Sequence, residues 1–240
     1  MQGDMAFPNT LESHFHSICR SSDNPNVVQG YAAQRFFREV ECGNSIEILP
    51  ALKDICARYP LVSGWESALS WLFWDLGNST DALRHLSHFT PNRIAEMRRQ
   101  AGSGASLAML SEVSAYIGHE SIQSLLLSIV EPLKLRCATA GYGVLYYGSF
   151  ARYGGLLAGA LGDKKKAVEL LSLSAEQEAS RRADLWLGYT LIDLAFALSR
   201  LKRSEGIVVR KLDDAETIAR ALRVPRLSAR LAWARTRLQR

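Results

Sequence analysis

No run in this 240-residue chain approaches the eighteen or so uncharged apolar residues that a membrane-spanning helix requires. The first thirty residues hold no basic start followed by an apolar stretch, so no secretory leader is expected and the chain reads as cytoplasmic. Cysteine is scarce: Cys19, Cys42, Cys56 and Cys137 stand far apart with no C-x-x-C pair. That spacing excludes a zinc ribbon and the disulfide framework of a small secreted domain, leaving buried free thiols as the expectation. Phosphate-binding glycine loops are missing as well. Gly141-Tyr-Gly143 and Gly154-Gly155 are followed by no lysine and read as points of close helix packing. No serine or cysteine carries the surroundings of a covalent nucleophile. The chain is therefore read as a non-enzyme, with no catalytic residue, cofactor or metal assigned.

What is present is the composition of a folded protein, 48% apolar and 22% charged. The formal charge of +5 is unevenly spread. From Arg200 to Arg240, 12 Lys and Arg stand against 4 Asp and Glu, a net +8; residues 1–199 carry 17 against 20, a net −3. The basicity belongs to the tail.

One short pattern recurs four times: an apolar stretch, a glycine, one or more polar residues, then a second apolar stretch. It reads Val40-Glu-Cys-Gly43-Asn-Ser-Ile, Trp74-Asp-Leu-Gly77-Asn-Ser-Thr-Asp-Ala82, Tyr116-Ile-Gly118-His-Glu-Ser-Ile and Ala160-Leu-Gly162-Asp-Lys-Lys-Lys-Ala167. Glycine at such a point suits the left-handed residue that ends a helix, and the polar residue after it can cap the next. Each instance predicts the turn of a helical hairpin. Apolar residues at helical spacing flank the turns: Leu52 and Ile55; Leu69, Leu72, Phe73 and Leu76; Ile122, Leu125, Leu126, Ile129, Val130 and Leu133. Ser45 is expected to cap the helix holding Pro50, which should kink slightly. No segment alternates long enough to predict a strand, Gly206-Ile-Val-Val-Arg210 reads as a loop, and Asp213, Asp214 and Glu216 read as a helix start. The predicted fold is all-α, a right-handed solenoid of antiparallel helical hairpins. Residues 1–25 form a tail or remnant helix, and residues 26–240 form the repeat domain with a basic capping helix at its end.

The interval from Gly43 to Gly77 is 34 residues, with 41 and 44 to Gly118 and Gly162. With Leu69, Ser70, Phe73, Gly77, Ala82 and Leu86, and again Gly155, Gly162, Ala167 and Leu171, the chain resembles the tetratricopeptide-repeat (TPR) family. Trp65 stands one place early for the family's tryptophan, and Gln123 replaces its alanine. Leu49-Pro-Ala-Leu, Ala57-Arg-Tyr-Pro60 and Gly148-Ser-Phe-Ala-Arg-Tyr-Gly154 are similar to the C-terminal helical region of large bacterial signalling-ATPase regulators of the adenylate-cyclase and LuxR types. The resemblance implies an accessory helical array that binds another protein or peptide as a scaffold.

Two features offer candidate partner-binding residues. Tyr142, Tyr146 and Tyr153 follow helical spacing in a segment rich in tiny residues, where aromatics either line a groove or pack in the core. In the last helix, Leu227, Leu231, Ala234 and Leu238 form a buried stripe, while Arg226, Arg230, Trp233, Arg237 and Arg240 form a basic face. That face either caps the array or takes an acidic partner or nucleic acid, the alternative being an effector-sensing or nucleic-acid-linked part of a regulator. No membrane partner is expected. His85 and His88 share one helical face, but no third metal ligand accompanies them in the sequence, so they read as solvated or hydrogen-bonded.

Overall fold

A computed structural model describes residues 24–100, 102–140, 143 and 145–238. The expected tail lies outside these residues except for Asn24 and Pro25, as do Cys19, Tyr142 and Arg240. Among the described residues the protein is all-α save for one small hairpin, and none of the helices is long and apolar enough to cross a membrane. The helices are α1 (Pro25–Glu41), α2 (Ser45–Arg58), α3 (Ser63–Asp75), α4 (Ser79–Ser87), α5 (Pro91–Met97) and α6 (Ser103–Ile117), then α7 (Glu120–Val130), α8 (Phe150–Ala160), α9 (Lys164–Ser180), α10 (Asp184–Arg200), α11 (Glu205–Leu222) and α12 (Pro225–Leu238). A 3₁₀ turn (Glu131–Leu133) and strands β1 (Cys137–Ala140) and β2 (Leu145–Ser149) separate α7 from α8.

All four motif glycines occupy the left-handed region, with φ of 89° at Gly43, 76° at Gly77, 82° at Gly118 and 88° at Gly162. Each joins two helices that pack on one another. Asn78 and Asp163, directly after two of them, accept hydrogen bonds from the amides of Asp81 and Lys166 and so cap α4 and α9. At Gly43 the cap position falls on Asn44 rather than Ser45, whose hydroxyl instead donates to Asp75 at 2.8 Å. The last three turns need a left-handed residue too but have no glycine: Arg182, Lys202 and Arg223 take φ of 53°, 56° and 53°. A search keyed on glycine passes over them.

The helix α6, with every residue from Ala105 to Ser114 buried, packs against α3 on one side and α8 on the other. The helix α8 continues onto α9 and α10, and α10 carries α11 and α12. Finally α12 returns to touch α1, so the first and last helices meet. Gly188 on α10 allows this return: a Cβ there would stand 2.9 Å from Cδ2 of the buried Leu227. Gly155 similarly lets α9 approach α8, since its Cβ would fall 2.6 Å from Leu171 Cγ, in keeping with the packing expected there.

Three local expectations are corrected. Cys137–Ala140 and Leu145–Ser149 pair as antiparallel strands, with Thr139 opposite Tyr146 and a bulge beside it; strands of four and five residues are too short for alternation to register. Gly206–Arg210 belongs to α11: Val208, Leu212, Ala215 and Ala219 make a buried helical stripe that overrides the β-branched run. Asp213, Asp214 and Glu216 consequently lie in mid-helix, where Asp213 and Glu216 both pair with Arg235 at 2.7 Å.

Candidate functional site

Charged residues from α1, α3, α6, α8, α10 and α12 converge at the centre of the molecule. Arg152, 1% exposed, donates from Nε to Asp193 Oδ2 at 2.9 Å and from Nη2 to Glu112 Oε1 at 2.8 Å. Its Nη1 is buried without a partner among the described protein atoms, and the residue is one of those lining a cavity of about 20 Å³, room for about one water. Glu112 also accepts from the Trp71 indole at 2.9 Å. Burial would push the Glu112 carboxyl up, but Arg152, Arg226 and Arg230 outweigh it and bring it down to about 2. Glu112, Arg152 and Asp193 each sit on a helix that is otherwise mostly apolar, so packing of the helix carries the charge inward.

The helix α12 joins this cluster through two arginines. Arg226 bonds Asp75 at 2.9 Å and Glu41 at 3.1 Å, with its guanidinium 4.5 Å from the Trp71 ring centre. Glu41 also accepts from the Tyr189 hydroxyl, and burial pushes its carboxyl above the usual range despite Arg226. Arg230 reaches Asp193 at 3.4 Å and donates to the Tyr116 hydroxyl, lying over the Tyr116 ring at 4.8 Å.

The expected basic face is thereby divided. Arg226 and Arg230 turn inward, because the acids of α1, α3 and α10 wait beneath them, while Trp233 (43% exposed) and Arg237 remain at the surface, their groups 6.0 Å apart. The buried stripe of Leu227, Leu231 and Ala234 is as expected, with Leu238 half-buried. The tyrosine stripe does not form as a helical face either. Tyr146 lies on β2 and donates to Glu178 at 2.5 Å, whereas Tyr153 on α8 is core, its hydroxyl bonded to the Tyr147 carbonyl. Tyr153 has no surface to offer a partner.

A second polar group lies across α3, α4 and α5. His85 Nδ1 is 3.4 Å and His88 Nδ1 2.5 Å from Glu66 Oε1, and Arg93 Nη2 holds Glu66 Oε2 at 2.5 Å. Hydrogen bonding from His85 chiefly, against burial and with help from His88 and Arg93, lowers the Glu66 carboxyl to about 2. The third group that the sequence did not offer His85 and His88 thus comes from α3, nineteen residues before His85. Cys56 borders the adjacent cavity, its thiol pushed up to about 12 by burial and by Glu66. Cys42, Cys56 and Cys137 are free and only half-buried.

The sequence singled out Arg226 and Arg230 but missed Glu41, Asp75, Glu112, Arg152 and Asp193. For Glu112 and Arg152 the available signal was a lone charge inside an apolar helix, as in Ser103–Ile117 and Phe150–Ala160; Glu41, Asp75 and Asp193 share their helices with other charges and carried no such mark. No protein-family model, curated protein or solved structure matches the chain.

Proposed function

We propose that the chain is a non-enzymatic protein-binding module, a TPR-like array of helical hairpins with a regulatory role, whose inner face is held closed by its own last helix. The observation that supports this reading is the recurrence of left-handed turns between successive helices that touch, at Gly43, Gly77, Gly118 and Gly162. Stacked hairpins of this kind present an extended inner surface to a partner. Here that surface holds Arg226 and Arg230 of α12, which occupy the acids a basic partner would otherwise meet. Outside the latch, Trp233 and Arg237 offer an aromatic and a cation at the rim.

The second reading, a nucleic-acid-linked part of a regulator, keeps Trp233 and Arg237 but loses Arg226 and Arg230 to internal ion pairs. Affinity capture with the full chain from its source organism, at low and moderate salt, tests both. One protein retained at moderate salt is the expected result. Nucleic acid released as salt rises would favour the second reading, and retention of nothing at either salt would sink the binding-module proposal.

A further inference from the structure

We propose that Glu66, His85 and His88 form a binding site for a divalent first-row transition ion, zinc above all, with Glu66 Oε1 and one nitrogen of each imidazole as ligands. The ligand atoms of the three residues all lie within 4.8 Å of one another. Two ligands each about 2.0–2.1 Å from a tetrahedral ion stand about 3.3–3.4 Å apart, and His85 Nδ1 already lies 3.4 Å from Glu66 Oε1. His88 Nδ1, at 2.5 Å, must open by less than about 1 Å to admit the ion. Its side chain is 48% exposed at the C-terminal end of α4 and is free to make that move.

Surrounding groups fix the other two ligands. Arg93 holds Glu66 Oε2, which orients the carboxylate and leaves Oε1 as a single-atom ligand, the usual task of a group behind a metal ligand. The His85 ring is stacked on Phe73, with centroids 5.5 Å apart and planes 11° from parallel. Beyond the triad lies a cavity of about 260 Å³ bordered by Cys56, Tyr59, Glu66 and His85, giving a fourth position room for water or a small ligand. Two imidazoles with one carboxylate suit zinc and its first-row neighbours, whereas magnesium and calcium prefer an all-oxygen shell. On binding at Nδ1, an imidazole that donates from that nitrogen must give up its Nδ1 proton: a neutral ring carries it on Nε2 instead, and a cationic ring releases one proton to solvent. The histidines and the carboxylate come from α3 and α4, and Arg93 from α5, so the ion fastens the α3–α4 hairpin beside the helix that follows it.

The test is calorimetric titration of the full chain, first stripped with EDTA, with zinc chloride. The expected result is one high-affinity site, weakened about ten-fold or more in both His88→Ala and Glu66→Gln. Zinc should also raise the thermal midpoint of the wild type by clearly more than that of His88→Ala. His88→Ala removes an exposed side chain, so circular dichroism should show it folded. Failure to bind at millimolar zinc would overturn the proposal. So would an affinity unchanged in His88→Ala, which would place the metal elsewhere in the chain.

Discussion

Arg152 and Glu112 are a buried pair whose charges stabilise each other only while both remain. Taking two ions out of water costs several kcal/mol each, and the multiple hydrogen bonds to Glu112 and Asp193 are what offset it. The Glu112 carboxyl at about 2 in the folded protein, against 4.5 as its ordinary value, makes part of this stabilisation dependent on pH. Because the folded value is depressed, the contribution is fully present above pH 4.5 and is lost as pH falls from there toward 2. That difference corresponds to about 3 kcal/mol. Glu112→Gln is expected to lower stability at pH 7 and to flatten its fall between pH 4.5 and 2, as urea denaturation across that range will show.

The hairpins themselves are set by their turns. A left-handed residue with a side chain costs about 1–2 kcal/mol that glycine does not pay. Lys202, at φ 56° between α10 and α11, carries that strain on an exposed side chain that makes no ion pair among the described residues. Lys202→Gly should therefore stabilise the protein by about 1 kcal/mol in thermal or chemical denaturation, where glycine in a helix interior would do the reverse. The glycine turns were legible in the sequence because glycine announces the conformation. The turns at Arg182, Lys202 and Arg223 were not, because there the packing of long helices such as α10 and α11 imposes the conformation on an unfavourable residue. Length explains the missed β-hairpin in the same way: nine strand residues carry no readable period, and pairing between β1 and β2 decides their state.

At the scale of the whole molecule, closure rests on α12. It meets α1, α10 and α11, and its two inward arginines tie it to acids from three helices. Removing one side of such a buried pair leaves Glu41 and Asp75 uncompensated, which costs about 3–5 kcal/mol. Arg226→Ala is expected to release α12 before the rest unfolds, seen as faster amide exchange across residues 225–238 with α6 still protected. Uniform exchange across all helices would instead mean that the latch and the core unfold together. Local spacing and glycine's freedom to adopt positive φ suffice to specify the helical class, the four glycine turns and the apolar stripe of α12. The direction in which the charges face is set by packing between helices distant in sequence. Arg226 and Glu41 are 185 residues apart, and Glu66 is 19 residues from His85. Whether a cation is a surface contact or half of a buried pair depends on which helix lies opposite, and helical periodicity specifies the face of a residue but not its neighbour.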